Sequence, residues 1–327
     1  MRWINRLQPD GFTLAVLATL ALAVVLPARG AVAQAFGTAT TVAIGLLFFL
    51  HGVRLPRETV VAGLAHWRLH LLVLSATFVL FPALGLLAGL LARGVLTPNL
   101  AVGVLFLCCL PSTVQSSIAF TAIAGGNVPA AVCSASASNL IGVFLTPLLV
   151  GLLISARGSG ASLDSIEAIV LQLLAPFAAG QILHPRLGRW AERHRRVSGL
   201  VDRGSILMVV FGAFSAATVH HIWRQLPVSG LGAMAVIDGA ILAAALASTT
   251  WASRSLGFAR EDEIAIVFCG SKKSLASGVP MANILFAGPA LGTIVLPLML
   301  FHQIQLMACA VLARRYAVRG GGQGSST

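Results

Sequence analysis

The stretch "IVFCGSKKSLASGVPMANILF", residues 266–286, places Lys272 and Lys273 inside an apolar run. They are the only lysines in the chain. The other 20 of its 22 basic residues are arginines, which lie mostly between apolar runs. An uncompensated ammonium at bilayer depth costs about 2.5–3.5 kcal/mol even on the lenient insertion scale. It needs a partner, an aqueous cavity or a change of protonation. What surrounds this stretch therefore decides both the fold and the role of the two lysines.

The surroundings are those of a membrane protein. The chain has 327 residues, 57% of them hydrophobic and 10% charged, with a mean hydropathy of +0.91. Soluble domains carry roughly 25% charge. A spanning helix takes about 20 mainly apolar residues. Ten segments meet this: 11–28, 36–53, 69–92, 99–124, 127–155, 164–184, 201–222, 230–256, 262–287 and 289–313. They lack the alternation of barrel strands, so the fold class is an all-α integral membrane protein with ten transmembrane helices.

The arginines set its orientation. With the N-terminus inside, sixteen arginines fall on the inner side, and only Arg29, Arg93, Arg157 and Arg224 fall outside. The positive-inside rule then supports ten spans with both termini cytoplasmic, and the plasma (inner) membrane is the expected location. This distribution explains the net charge of +12 without a nucleic-acid partner. The basic loop "HPRLGRWAERHRRVSGLVDR" (184–203) reads as an anchor on anionic lipid. Arg2, Arg6, an apolar run and "AVAQA" imitate a signal peptide; retention of this segment keeps the count at ten. The five cysteines lie in apolar segments with no metal-ligand spacing, so they read as small core residues. No metal or cofactor is expected.

The polar loop "ARGSGASLD" (156–164) divides the spans five and five. An odd number per half gives the halves opposite orientation, the inverted repeat of secondary transporters. The repeats are 1–155 and 164–315, followed by a tail, 316–327, expected to be disordered. The fourth segment of each half is interrupted by polar residues. One interruption follows Pro111 in "FLCCLPSTVQSSIAFTAIAGGN" (106–127); the other follows Gly270, 159 residues later. Unwound backbone at bilayer depth survives only where it faces protein or water. Residues Pro111–Ser117 and Gly270–Ser274 are thus expected to be non-helical and to meet.

These features carry a resemblance. The Pro- and Ser-rich break, the "GGN" and the fifth segment "NVPAAVCSASASNLIGVFLTP" resemble the bile acid:sodium symporter family. "GSKKSLASGVPMA" is similar to its orphan branch, typified by vertebrate solute carrier family ten, member seven, and bacterial relatives. The resemblance covers about residues 10–315 and implies two moving parts. Helices three to five and eight to ten would form a core, helices one, two, six and seven a panel, and broken helices four and nine would cross. It also implies where sodium-coupled members bind their ion. Ser116 keeps the family's serine, and Ser117 stands where those members have asparagine. Ala131 and Ala135 fall where helix five supplies hydroxyls, with Ser134, Ser138 and Asn139 nearby. Ser271 falls where a glutamate opens the second break. Without that carboxylate sodium coupling is put in question, and sodium or proton coupling is left open.

The lysines admit three readings. An ammonium could take the place of the missing sodium, donating to Ser116, Ser117 and freed carbonyls, with Lys272 the favoured occupant. The lysines could instead bind an anionic substrate in a cavity. They could also be structural, by snorkelling or by pairing with Asp238, the one acid well inside a span. Asp238 and His302, the latter beside Gln305 in "FHQIQ" (301–305), are candidates for a proton relay or a lysine partner. The candidate ion and substrate residues are Ser112, Thr113, Gln115, Ser116, Ser117, Ser134, Ser138, Asn139, Ser271, Lys272, Lys273, Ser274 and Ser277.

The sequence thus points to a secondary active transporter for a small organic anion, a symporter-like carrier working by alternating access. A non-transporting sensor on the same fold is an alternative. A Ser–Lys hydrolase using "ASG" (276–278) is another, but it would need a base and an oxyanion hole that neighbouring residues on one segment do not supply.

Overall fold

The computed structural model describes residues 11–54, 66–155, 173–221, 228–286 and 288–321. Arg2, Arg6, Arg57, Arg157, Arg224, the dividing loop 156–164 and residues 322–327 lie outside this set. The described residues are mainly helical, with no strand among them. In chain order the helices are α1 (Gly11–Val25), α2 (Gly30–Arg54), α3 (Trp67–Leu91), α4 (Pro98–Cys109), α5 (Gln115–Ile123) and α6 (Val128–Ser155). They continue as α7 (Ala175–Arg193), α8 (Arg195–Val219), α9 (Val228–Ser255), α10 (Arg260–Gly270), α11 (Leu275–Leu285) and α12 (Leu291–Gly321). Stretches of α2, α3, α6, α8, α9 and α12 are long and apolar enough to cross a membrane, and α1 and α4 contain shorter apolar runs. Large apolar side chains such as Val25, Leu91 and Trp251 face outward, as hydrocarbon solvent requires. The chain is an integral membrane protein.

The helix ends depart from the sequence reading in three places. The stretch 184–203 is helical, not a loop: α7 runs to Arg193 and α8 starts at Arg195, with His194 (φ −106°, ψ 38°) as the break. The helix resumes at Gln115, so Ser116 and Ser117 are helical; the Ile118 N–H bonds the Val114 carbonyl at 3.1 Å and starts the new ladder. At the far end, α12 continues past residue 315 to Gly321. Tyr316 anchors that end, donating to Glu263 at 2.7 Å and accepting from Arg260 at 2.5 Å.

The chain forms two compact units, each drawn from both halves of the sequence. Unit 1 comprises 1–56, 160–228 and 279–296; unit 2 comprises 57–159, 229–278 and 297–327. In unit 1, α2 and α7 cross with their backbones in contact. A Cβ on Gly52 would run into the Phe177 carbonyl, and one on Gly180 into the Phe49 carbonyl. Small residues let membrane helices approach this closely. Gln181 then donates to the Gly52 carbonyl at 2.8 Å, and the His184 ring bonds the Val53 carbonyl at 2.7 Å. Helix α8 adds the edge contact of Phe36 on Phe211 and the ion pair Arg54–Asp202 at 3.2 Å.

In unit 2, Glu263 opens α10 and ties it to the end of α9. Arg254 grips its carboxylate with two hydrogen bonds, at 3.0 and 2.9 Å. Asn127 tethers the α5–α6 turn to α10, donating to Asp262 at 2.8 Å and, from its backbone N–H, to the Glu261 carbonyl at 2.9 Å.

The helix crossing in unit 1 gives a signed expectation. Gly180→Ala should destabilise the protein by about 1–3 kcal/mol, as overpacking does. Gly199→Ala on α8, where an added Cβ meets nothing within 4 Å, should be neutral or slightly stabilising because alanine is the better helix former. Thermal unfolding of the detergent-solubilised variants measures both; equal melting temperatures would contradict the described crossing.

Candidate functional site

Proline builds the first break. Pro111 forces the residue before it out of the helical region, and Leu110 is extended (φ −76°, ψ 155°). The proline ring seats against Gly142 of α6, where a Cβ would collide with it. The second break begins at Ser271, whose hydroxyl turns back onto the Val267 carbonyl at 2.6 Å. It ends at Ser274, which caps α11 by accepting the Ser277 N–H at 3.1 Å.

Each break satisfies the other's orphaned groups. Ser112 and Ser117 donate their hydroxyls to the Cys269 and Phe268 carbonyls, at 2.5 and 2.9 Å. In return, the Ser274 N–H bonds the Pro111 carbonyl at 2.9 Å. Helix α6 completes the junction. Ser138 accepts the Ser112 N–H at 3.0 Å, Asn139 donates to the Ser112 carbonyl at 2.6 Å, and Thr146 donates to the Cys109 carbonyl at 2.8 Å. Asn139 also accepts from Ser277 at 2.8 Å.

Lys273 lies at the centre of this junction. Its ammonium donates to three backbone carbonyls: Thr77 at 2.8 Å, Cys108 at 3.0 Å and Leu110 at 2.7 Å. An ammonium has three donors, and all three are used. Cys108 and Leu110 close α4, where the helix dipole favours a cation. Thr77 is freed in a different way. Helix α3 passes through a π turn at Ala76–Leu80, so the Phe81 N–H bonds Ala76 instead of Thr77. The next residue, Pro82, has no N–H, and the Thr77 carbonyl turns to the lysine. The Phe81 ring covers the ammonium at 4.1 Å, a cation–π contact. The backbone of Lys273 is clamped as well: Gln305 accepts its N–H and donates to its carbonyl, both at 2.9 Å.

Lys272, one residue earlier, is equally buried but differently placed. Its ammonium has no hydrogen-bond partner among the described residues. It lies over the rings of Phe120 and Phe268, at 4.4 and 5.4 Å. The occupant of the break is thus Lys273 and not the favoured Lys272, because only Lys273 reaches the released carbonyls. Those carbonyls, and not the hydroxyls of Ser116 and Ser117, receive the ammonium.

The remaining predicted residues divide. Ser112, Ser117, Ser138, Asn139, Ser271, Ser274 and Ser277 meet at the junction. Thr113 and Ser116 bond each other at 3.3 Å, Gln115 is exposed, and Ser134 pairs with His70 at 2.7 Å. His302 bonds Gln305 at 2.9 Å and so stands behind the Lys273 clamp. Asp238 is fully buried, and neither carboxylate oxygen has a hydrogen-bond partner among the described residues. It pairs with neither lysine, since Lys273 has spent its donors on carbonyls and Lys272 faces rings.

Residues 10–318 match the SBF-like CPA transporter family. The chain belongs to this family. It is 59% identical to "Uncharacterized protein PA2026" of Pseudomonas aeruginosa over 96% of this chain and 95% of that protein. It is 52% identical to "Putative symporter YfeH" of Escherichia coli (strain K12), over 94% and 92%. To "Sodium/bile acid cotransporter 7" of Mus musculus it is 27% identical, over 95% and 94%. The resemblance read from "GSKKSLASGVPMA" is borne out, and the family is one of transporters, not enzymes.

In this SBF-like CPA transporter, sequence reasoning missed Thr77, Phe81, Phe120 and Glu263. Phe81–Pro82 inside the third apolar segment was the available signal for Thr77, since an interior proline always strands a carbonyl. "REDE" (260–263), at the start of the ninth segment, was the signal for Glu263.

Lys273→Met should strand three carbonyls at about 1–3 kcal/mol each, and the ligand-free protein should melt far below wild type. Lys272→Met removes a buried charge that has no acceptor, so its melting temperature should stay level or rise. A larger fall for Lys272→Met would reverse the assignment.

Proposed function

We propose that the chain is a secondary active carrier for a small organic anion, working by alternating access without a sodium ion at its helix junction. The observation that carries this reading is the Lys273 ammonium with all three donors on break carbonyls. An ammonium tethered to the chain cannot leave with a substrate, so it can stand in for a bound sodium ion without being carried across as one. Ser271 supplies no carboxylate beside it, and a second ammonium, Lys272, adds positive charge. Both features disfavour a hard cation.

Family membership supports the carrier part of the reading. In this reading the ten spans form two inverted five-helix repeats, with the paired breaks as their crossing point. The 159-residue offset between Pro111 and Gly270 supports this, as does the exchange of hydrogen bonds between the breaks. The distribution of arginines supports the plasma membrane with both termini cytoplasmic. Asp238, buried with both oxygens without a hydrogen-bond partner among the described residues, is a candidate for a proton-carrying acid in unit 2. The mouse relative's name gives sodium and bile acid; for this chain only the amphipathic organic anion is carried over.

The test is thermal unfolding in sodium and in choline at equal ionic strength, with and without a panel of organic anions. A ligand that binds the folded state raises its stability by mass action. At least one anion should raise the melting temperature, and sodium should add nothing beyond choline. A saturable gain specific to sodium would overturn the reading of the junction.

A further inference from the structure

The basic stretch 184–203 is helical, and the helix puts its arginines in order. On α7, Ile182, Arg186, Arg189 and Arg193 are spaced i, i+4, i+7 and i+11, the repeat of a single helix face. All four are exposed. The opposite face carries Phe177, Gly180, Gly188 and Ala191, all buried, and crosses α2 at Gly180. The arginine stripe therefore points away from the body of unit 1, to which the whole hairpin belongs.

The stripe changes character along its length. Ile182 is apolar and 75% exposed, as a side chain facing hydrocarbon is. One turn later, about 6 Å along the axis at 1.5 Å per residue, the first guanidinium follows. The three arginines fill the next two turns. Trp190 flanks them, 44% exposed, with its ring stacked on His194 at 4.8 Å. Tryptophan concentrates at the level of lipid headgroups. One helix face thus passes from an acyl-chain environment to a headgroup environment.

The charge of the stripe is uncompensated. Arg186, Arg189 and Arg193 form no ion pair among the described residues. The acids of α7 and α8 are Glu192 and Asp202. Glu192 projects about 100° away from Arg193, and Asp202 is held by Arg54 at 3.2 Å. Orienting a chain in the membrane needs only positive charge near the helix ends. It does not need guanidinium groups in register with a lipid-facing apolar stripe. Such groups match phosphate oxygens with paired hydrogen bonds.

We propose that the outer face of α7 is a binding site for an anionic phospholipid of the cytoplasmic leaflet. Arg186, Arg189 and Arg193 take the headgroup phosphate, Trp190 packs beside it, and an acyl chain runs along Ile182. The site is separate from the helix junction and does not depend on what the carrier transports.

The test is native mass spectrometry of the full chain in detergent, titrated with dioleoylphosphatidylglycerol or with its neutral counterpart, dioleoylphosphatidylcholine. Phosphatidylglycerol should bind saturably and at least tenfold more tightly. Arg186→Gln, Arg189→Gln and Arg193→Gln should each weaken it about fivefold, the worth of one arginine at a lipid surface. Combined, they should erase the preference at an unchanged melting temperature, since all three side chains are exposed. Arg93→Gln, Arg314→Gln and Arg315→Gln combined remove the same charge from other exposed positions, and should leave binding within twofold. Trp190→Ala should weaken it with no change of charge. Equal affinity for the two lipids would overturn the proposal. Equal loss in the two triple variants would also overturn it, by reducing the stripe to diffuse charge. Displacement of the lipid by glycerol 3-phosphate or by a short DNA duplex at the same concentration would overturn it too, by assigning the stripe to a soluble anion.

Discussion

An ammonium and three backbone carbonyls carry the architecture of unit 2. A helix interrupted at bilayer depth leaves carbonyls without partners, and hydrocarbon offers none. A lysine in the same place leaves an ammonium without acceptors. Either alone would be costly. Together, Lys273 and the carbonyls of Thr77, Cys108 and Leu110 answer each other's need. Three separate departures from regular helix feed this one group: the π turn before Pro82, the end of α4, and the extended residue ahead of Pro111. Pro111 and Pro82 make two of these departures, and the lysine makes use of the carbonyls that they release.

The rest of the junction follows from that fixed point. Once Lys273 is seated, its own peptide group must be satisfied off the helix, and Gln305 does this from α12 with one acceptor and one donor. The chain then re-enters a helix at Ser274, whose hydroxyl caps α11 while its N–H reaches back to Pro111. On the other side, Ser112 and Ser117 cover the last carbonyls of α10. The serines of the two breaks thus serve as substitutes for lost backbone N–H groups. This explains their density in both segments without requiring each to touch a transported ion. Thr113 and Ser116, which bond each other and not the backbone of the partner break, do not share that duty.

The sequence made the general plan readable because the plan rests on properties each residue carries alone. Apolar runs mark the helices, arginines mark their ends, and Pro111 and the serines after it mark a break. It favoured Lys272 as the occupant of the break, and the structure seats Lys273 there. Sequence spacing puts neighbours about 100° apart on a helix, but residues 272–274 are not helical, so that angle has no meaning there. Thr77 was illegible for another reason: it acts through its carbonyl, which every residue possesses, and only Pro82 five positions later hints that it is free. The buried Glu263 drew no reading from the sequence, although Arg254 and Tyr316 hold it with three hydrogen bonds. Its partners are 9 and 53 residues away, too far for any local pattern to reveal.

Glycine shows most clearly why a helix crossing can escape a sequence reading that finds the helices. On α2, Gly52 and Gly37 are the same residue in the same helix, and composition treats them alike. At Gly52 the missing side chain is filled by the backbone of α7, and the gain is close helix packing. At Gly37 nothing fills it. Gly37 is exposed, so its missing side chain opens outward and no packing contact is lost there. One residue type thus marks a helix crossing at position 52 and an open helix face at position 37, and only the presence or absence of a partner helix, which the sequence of α2 does not contain, tells the two apart.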